Sequence, residues 1–158
     1  MARNMEFEWP ELAIQVTATL LEEDEPELSA RLWDDLTSPT RFVCRHTLST
    51  GYEFGCETRP PKHPVESGTQ AEPVGRKQWL LCRIRPGSVV YSIAGGYGGI
   101  TIFYGPCTEP LPMRGPVVAY VEPKDMDNLV RAGKAVWSAQ YMTHLPVIMI
   151  ARRVSDDQ

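Results

Sequence analysis

Apolar and polar side chains alternate strictly from Leu12 to Leu20: Leu12, Ile14, Val16, Ala18 and Leu20 share one face, and Gln15, Thr17 and Thr19 the other. A period of two is that of a β-strand with one face on a core. The pattern then changes. An acidic run, Glu22 to Glu25, precedes Pro26, a residue suited to the first turn of a helix, where acidic groups also favour the helix dipole. Leu28, Leu32, Trp33 and Leu36 follow at helical spacing, so a helix is predicted over 26–36, stopped by Thr37, Ser38 and Pro39. Two strands are predicted over 41–48 and 52–58, joined at Ser49, Thr50 and Gly51, where glycine supplies positive φ.

Between 59 and 77 periodicity disappears; four prolines and two glycines mark a long surface loop. Strands are predicted again over 79–84, 88–93, 100–104, 116–122 and 146–154. The runs 88–93 and 100–104 flank a glycine cluster, with Pro86-Gly87 before and Gly105-Pro106 after, and read as one hairpin. A second helix is predicted over 125–137, with Asp125 as its cap and Met126, Leu129, Val130, Gly133, Val136 and Trp137 as its apolar stripe. Gly133 lowers helix propensity by roughly 1 kcal/mol relative to alanine, which points to close packing there. Eight strands and two helices are best accommodated by closing the sheet into a barrel, which removes exposed edges, with the last strand expected against the strand at 12–20.

A chain of 158 residues with 42% hydrophobic and 23% charged residues is expected to form one globular domain over 1–158. The net charge of −4 argues against a nucleic-acid partner, because phosphate binding needs a concentrated basic face. No apolar run is long enough to span a membrane, and the first residues lack the apolar stretch of a secretory signal, so a cytoplasmic location is expected. The four cysteines, Cys44, Cys56, Cys82 and Cys107, show no metal-site spacing and are expected to be free thiols. Cys107, after Gly105-Pro106 on a predicted loop, is the best candidate for a reactive one.

Several of these residues carry a resemblance. Pro86-Gly87 with Val89, Val90 and Tyr91, the stretch Ile100 to Gly105 with Phe103 and Tyr104, Gly115, and Asn128, Leu129, Gly133 and Trp137 on the second helix resemble the small bacterial cyclophilin-like barrels. The branch they are most similar to is the one related to the cyclophilin-like domain of cucumopine synthase. The resemblance implies a mainly β, closed eight-stranded barrel with its two helices over the barrel ends. It also implies cofactor-independent chemistry on a small polar metabolite: a Pictet–Spengler-type condensation and cyclisation that forms a carbon–carbon bond, or a related ring closure or opening. Peptidyl-prolyl isomerisation is not expected, since the order and spacing around His46 and Phe54 differ from those of cyclophilins.

Candidate chemistry concentrates on the hairpin at 41–58, which carries Arg45, His46, Tyr52 and Glu53. Alternation puts His46 on the face of Phe42 and Cys44, where it is either a core histidine satisfied by a carbonyl or an imidazole tuned for proton transfer. His46 and Glu53 are expected to form an acid–base pair across the hairpin, and Tyr104 to donate to a developing oxyanion. Arg114, on a proline-rich loop, suits a carboxylate anchor. Arg45, Tyr52, Tyr91 and Cys107 are expected to complete a pocket at one barrel mouth. No metal set, dinucleotide fingerprint or nucleophile triad is found, so neither metal nor cofactor is expected. Two function classes stay open: an enzyme on a small, carboxylate-bearing substrate, and a barrel that binds a small molecule or a protein without catalysis. Homo-oligomer formation is left open.

Overall fold

In the computed structural model the described residues are 2–47, 51–58, 75–76, 79–91, 99–107 and 114–154, the side chains of Leu81 and Arg114 excepted. The barrel strands are β1 (Asn4–Trp9), β2 (Ile14–Leu20), β3 (Thr40–His46), β4 (Gly51–Glu57), β6 (Ser88–Tyr91), β7 (Gly99–Cys107), β9 (Val117–Val121) and β10 (Val147–Arg153). They close in the order β1-β10-β3-β4-β7-β6-β9-β2, and every pairing is antiparallel. A separate two-stranded sheet joins β5 (Trp79–Leu80) to β8 (Arg114–Gly115). The helices are α1 (Pro26–Asp35) and α2 (Met126–Ser138), close to their predicted bounds. The expected closed eight-stranded barrel with two helices is therefore the observed one.

Its membership differs from the expectation in two places. The closing strand is β1, which pairs with β2 on one side and with β10 on the other, so the last strand does not meet β2. The signal was present: Met5, Phe7 and Trp9 alternate with Glu6 and Glu8, and all three apolar side chains are fully buried. Conversely, the run at 79–84 contributes only the short β5 outside the barrel, because Leu81–Arg83 turns as a 3-10 helix that leaves Cys82 and Arg83 exposed. β2 begins at Ile14 rather than Leu12, since Pro10–Leu12 also forms a 3-10 turn and Ala13 takes a left-handed conformation at φ 49°.

The interior is filled from every strand, with Met5, Phe7, Trp9, Val16, Phe54, Val89, Ile102 and Met149 among the fully or almost fully buried side chains. Trp9 meets Phe54 edge-on at 6.1 Å. The two helices close different ends. Tyr91 pairs in register with Ile100, and Tyr104 lies four residues further along the same strand, roughly 13 Å away at ~3.4 Å per residue. α1 reaches the Tyr91 end, where the tyrosine hydroxyl donates to Asp35. α2 reaches the Tyr104 end through Gly133. Asp125 does not cap α2; its Oδ2 accepts the backbone N–H of Thr17 at 2.8 Å, pinning the helix start to β2. The Trp137 end of the predicted apolar stripe is exposed, and Leu129, Ala132, Gly133 and Val136 form the buried face.

Outside the barrel wall a second apolar cluster gathers Ile84, Val90, Phe103, Cys107 and Val117, with Trp79 and Tyr120 packed against it. Much of the sheet is thus covered on both faces at β6, β7 and β9, which explains why these strands read as continuous apolar runs.

Candidate active site

At the α2 end of the barrel, β3 and β7 deliver His46 and Tyr104 to the same interior position. His46 pairs in register with Phe54, Phe54 with Ile102, and Tyr104 follows Ile102 by two residues, so all four side chains face inward. His46 and Tyr104 are both buried, and their side chains touch: Nε2 of His46 lies 2.7 Å from the Tyr104 hydroxyl. Nδ1 of His46 lies 2.9 Å from the carbonyl oxygen of Thr47. A carbonyl has no proton to give, so Nδ1 carries the hydrogen and donates it. In the neutral ring Nε2 is then the acceptor, and Tyr104 donates to it. The three groups form a directed chain from the Tyr104 hydroxyl through the imidazole to Thr47.

Electrostatics keep that chain neutral. Burial lowers the pKa of His46 below 6.5, only partly opposed by the bond to Thr47. Burial raises Tyr104 to about 12, with a smaller contribution from Tyr52. Tyr104 is therefore a hydrogen-bond donor rather than a phenolate at neutral pH, and its oxygen lone pairs remain to accept a proton from elsewhere. If a proton arrives at that oxygen, the tyrosine can pass its own to Nε2. The expected role of Tyr104 as donor to an oxyanion changes accordingly, because its hydrogen is committed to His46.

Glycines make room for the tyrosine. A Cβ on Gly133 would stand inside the Tyr104 ring, against Cδ1 and Cγ, so α2 can cross the barrel mouth this closely only without a side chain there. A Cβ on Gly105 would lie 2.7 Å from Cβ of Tyr52, whose ring meets Tyr104 edge-on at 5.6 Å. Tyr52 is half exposed and forms the outer side of the site.

Of the other expected site residues, Glu53, Arg45, Tyr91 and Cys107 are not gathered here. Glu53 is buried, but it precedes the inward-facing Phe54 and pairs in register with Phe103 of the outer cluster, so it lies on the opposite face of the sheet from His46. Its main chain does serve the site: the Glu53 carbonyl accepts the Thr47 N–H at 3.3 Å and the Thr47 hydroxyl at 3.2 Å. Arg45 points outward and pairs with Glu57. Tyr91 sits at the far end on Asp35, and burial raises its pKa. Cys107 is not on a loop; it ends β7 opposite Gly51 and is buried in the outer cluster, whereas Cys82 is the exposed thiol. Arg114 belongs to β8, opposite Leu80, and its side chain lies outside the described residues, as does most of the expected loop at 59–77.

Thr47 and Tyr141 were missed. Tyr141 stands edge-on to His46 at 6.4 Å and its hydroxyl donates to the Thr47 carbonyl at 3.2 Å. Its four-residue spacing from Trp137 was the available signal; the rings lie 5.2 Å apart. Beside this corner an open groove of about 320 Å³ is lined by Val43, Arg45, Gln140, His144, Leu145 and Pro146. Among the described residues no three or more His, Cys, Asp or Glu side chains are grouped to hold a metal ion.

The fold and site define a closed, two-helix barrel with a neutral tyrosine–histidine pair under one mouth. No protein family profile matches the chain, and no curated protein matches it. A solved structure of the same architecture is that of McbB in complex with tryptophan, with a TM-score of 0.81 and 29% sequence identity over 98% of this chain. The chain spans less than half of McbB, 46% of that chain's length. Among the described residues no helix is long and apolar enough to cross a membrane.

Proposed function

We propose that this barrel is a cofactor-independent enzyme that condenses an aromatic amino acid with a carbonyl compound and closes a ring by carbon–carbon bond formation, as in a Pictet–Spengler reaction. Likeness to the tryptophan-bound McbB over nearly the whole of this chain supports the substrate class. The observation that carries the chemistry is the Tyr104–His46–Thr47 chain. The amine and the carbonyl lose water to give an iminium ion, the aromatic ring attacks it, and the ring carbon then gives up a proton to regain aromaticity. In this reading that proton goes to the Tyr104 oxygen while the tyrosine hydrogen moves to Nε2 of His46, which leaves an imidazolium bonded to Thr47. A neutral, buried imidazole with its lone pair already engaged suits such a base.

Glu53, buried on the outer face of β4, is given no part in this proton transfer. Arg114 is proposed to bind the substrate carboxylate, so Arg114→Gln should raise KM with little change in kcat. A soluble, cytoplasmic setting fits these reactants.

The test is direct. Protein incubated with tryptophan and an α-oxo aldehyde should release a product whose mass equals the two reactants less one water. Tyr104→Phe removes the proton-accepting oxygen and should lower the rate by roughly 100-fold or more. Tryptophan binding without product from a range of aldehydes and 2-oxo acids would instead assign the barrel as a binding module.

A further inference from the structure

We infer that Tyr141 is the positioning residue of the site: it holds the Thr47 carbonyl and shields His46, so that the imidazole keeps its hydrogen on Nδ1 and presents Nε2 to Tyr104. Three observations lead there. The Thr47 carbonyl receives two donors, Nδ1–H of His46 at 2.9 Å and the Tyr141 hydroxyl at 3.2 Å, which between them use both of its lone pairs. The Tyr141 ring lies 6.4 Å from the imidazole, inclined at 63°, and its hydroxyl reaches the same Thr47 carbonyl that Nδ1 does. The backbone that places it is irregular: α2 passes into a π-helical turn, Ala139–Thr143, closed by His144 in the left-handed conformation at φ 56° with its N–H on the Ala139 carbonyl at 2.8 Å. π-Helical turns are rare inside helices and recur at functional positions. Exposed apolar side chains on the same turn and beyond it, Met142 and Leu145, show that core burial does not account for the distortion.

A carbonyl bonded twice cannot swing away from the ring, and among the described residues Nδ1 meets no other acceptor. The groups around His46 leave the effect to Tyr141. From β7 it meets Tyr104, and from β4 Phe54. Glu53 lies on the opposite face, Arg45 and Glu57 pair outside the wall, and Asp127, Arg131 and Lys134 of α2 are not buried. Cys44 and Cys56 face each other one layer deeper, their sulfurs 3.7 Å apart. On β10, Arg152 and Arg153 pair in register with β1, away from Val147, the partner of Cys44.

The inference concerns the same imidazole as the functional reading but is measured without substrate. Nitrogen-15 spectra of the histidine rings across a pH titration should show His46 neutral at pH 7 with hydrogen on Nδ1. In Tyr141→Phe the ring remains and the donor is gone, so exchange of that hydrogen with water should accelerate by about fivefold or more, the effect of one lost hydrogen bond. In Tyr141→Ala water also reaches the ring, and the His46 pKa should rise towards its ordinary value. Wild-type exchange and wild-type titration in both variants would overturn the inference. Should Tyr141→Ala fail to fold, Tyr141→Phe still decides it. Loss of turnover in Tyr104→Phe without these changes bears on the reaction alone.

Discussion

At the scale of single residues, what distinguishes His46 is that it is kept neutral. Its pKa in the folded protein lies below 6.5, so the unfolded chain takes up a proton at a higher pH than the folded one does. The stabilising contribution of the neutral ring is therefore complete above about 6.5 and is lost as pH falls from there towards the folded value. Urea midpoints measured at pH 7.5 and pH 5 should drop on acidification, and His46→Gln should flatten that drop. Turnover should follow the same titration, rising with pH through a pKa below 6.5 and then levelling across neutrality. Tyr104, at about 12, contributes no second limb until strongly alkaline pH. The thiols divide as cleanly. Alkylation of the native protein should modify Cys82 first and leave buried Cys44, Cys56 and Cys107 slow, while denaturant without reductant should release four. Burial and the neighbouring Cys44 push the Cys56 thiol well above its usual range, which slows it further.

At the scale of elements, the crossing of α2 over β7 determines whether the site exists. Gly133→Ala would add helix propensity, about 1 kcal/mol in favour of folding. It would also drive a methyl group into the Tyr104 ring, and overpacking typically costs about 1–3 kcal/mol. The ring is hemmed by Tyr52 at 5.6 Å and Phe54 at 6.1 Å, so it cannot step aside cheaply, and overpacking should win. We expect a lower Tm and a weakened Tyr104–His46 bond, seen as a His46 pKa displaced from its wild-type position. Gly133 was legible beforehand as a glycine that must pack closely, because nothing else justifies glycine in the middle of an amphipathic helix. What it packs against was not legible, since Tyr104 comes from a strand 29 residues earlier (133 − 104).

At the scale of the whole molecule, closure depends on β1. Glu6 and Glu8 reach Arg152 across the seam with β10, but these are partly solvated surface pairs of the kind worth about 1 kcal/mol at most, and the burial of Met5, Phe7 and Trp9 matters more. Removing residues 1–9 would uncover the edges of β2 and β10 together and empty one side of the core. Such a truncated chain should be aggregated in size-exclusion chromatography and lack a cooperative thermal transition, whereas Glu6→Gln should melt within a few degrees of the wild type.

The amino-acid order by itself determined the elements: the alternation of β2, the hairpin of β6 and β7, both helices within a residue or two, and the need for a closed sheet. These are local matters of periodicity and turn chemistry, and even β1 was present as an alternating run. Which residues meet was decided by register and sheet order. His46 and Tyr104 are 58 positions apart and touch because β3, β4 and β7 are neighbours with Phe54 and Ile102 between them. The same registers set Glu53 on the outer face and Tyr91 at the other end. A strand's side-chain period of two assigns each residue to a face, but it takes the assembled barrel to say which face is inside, at what height each side chain lies, and which helix covers it.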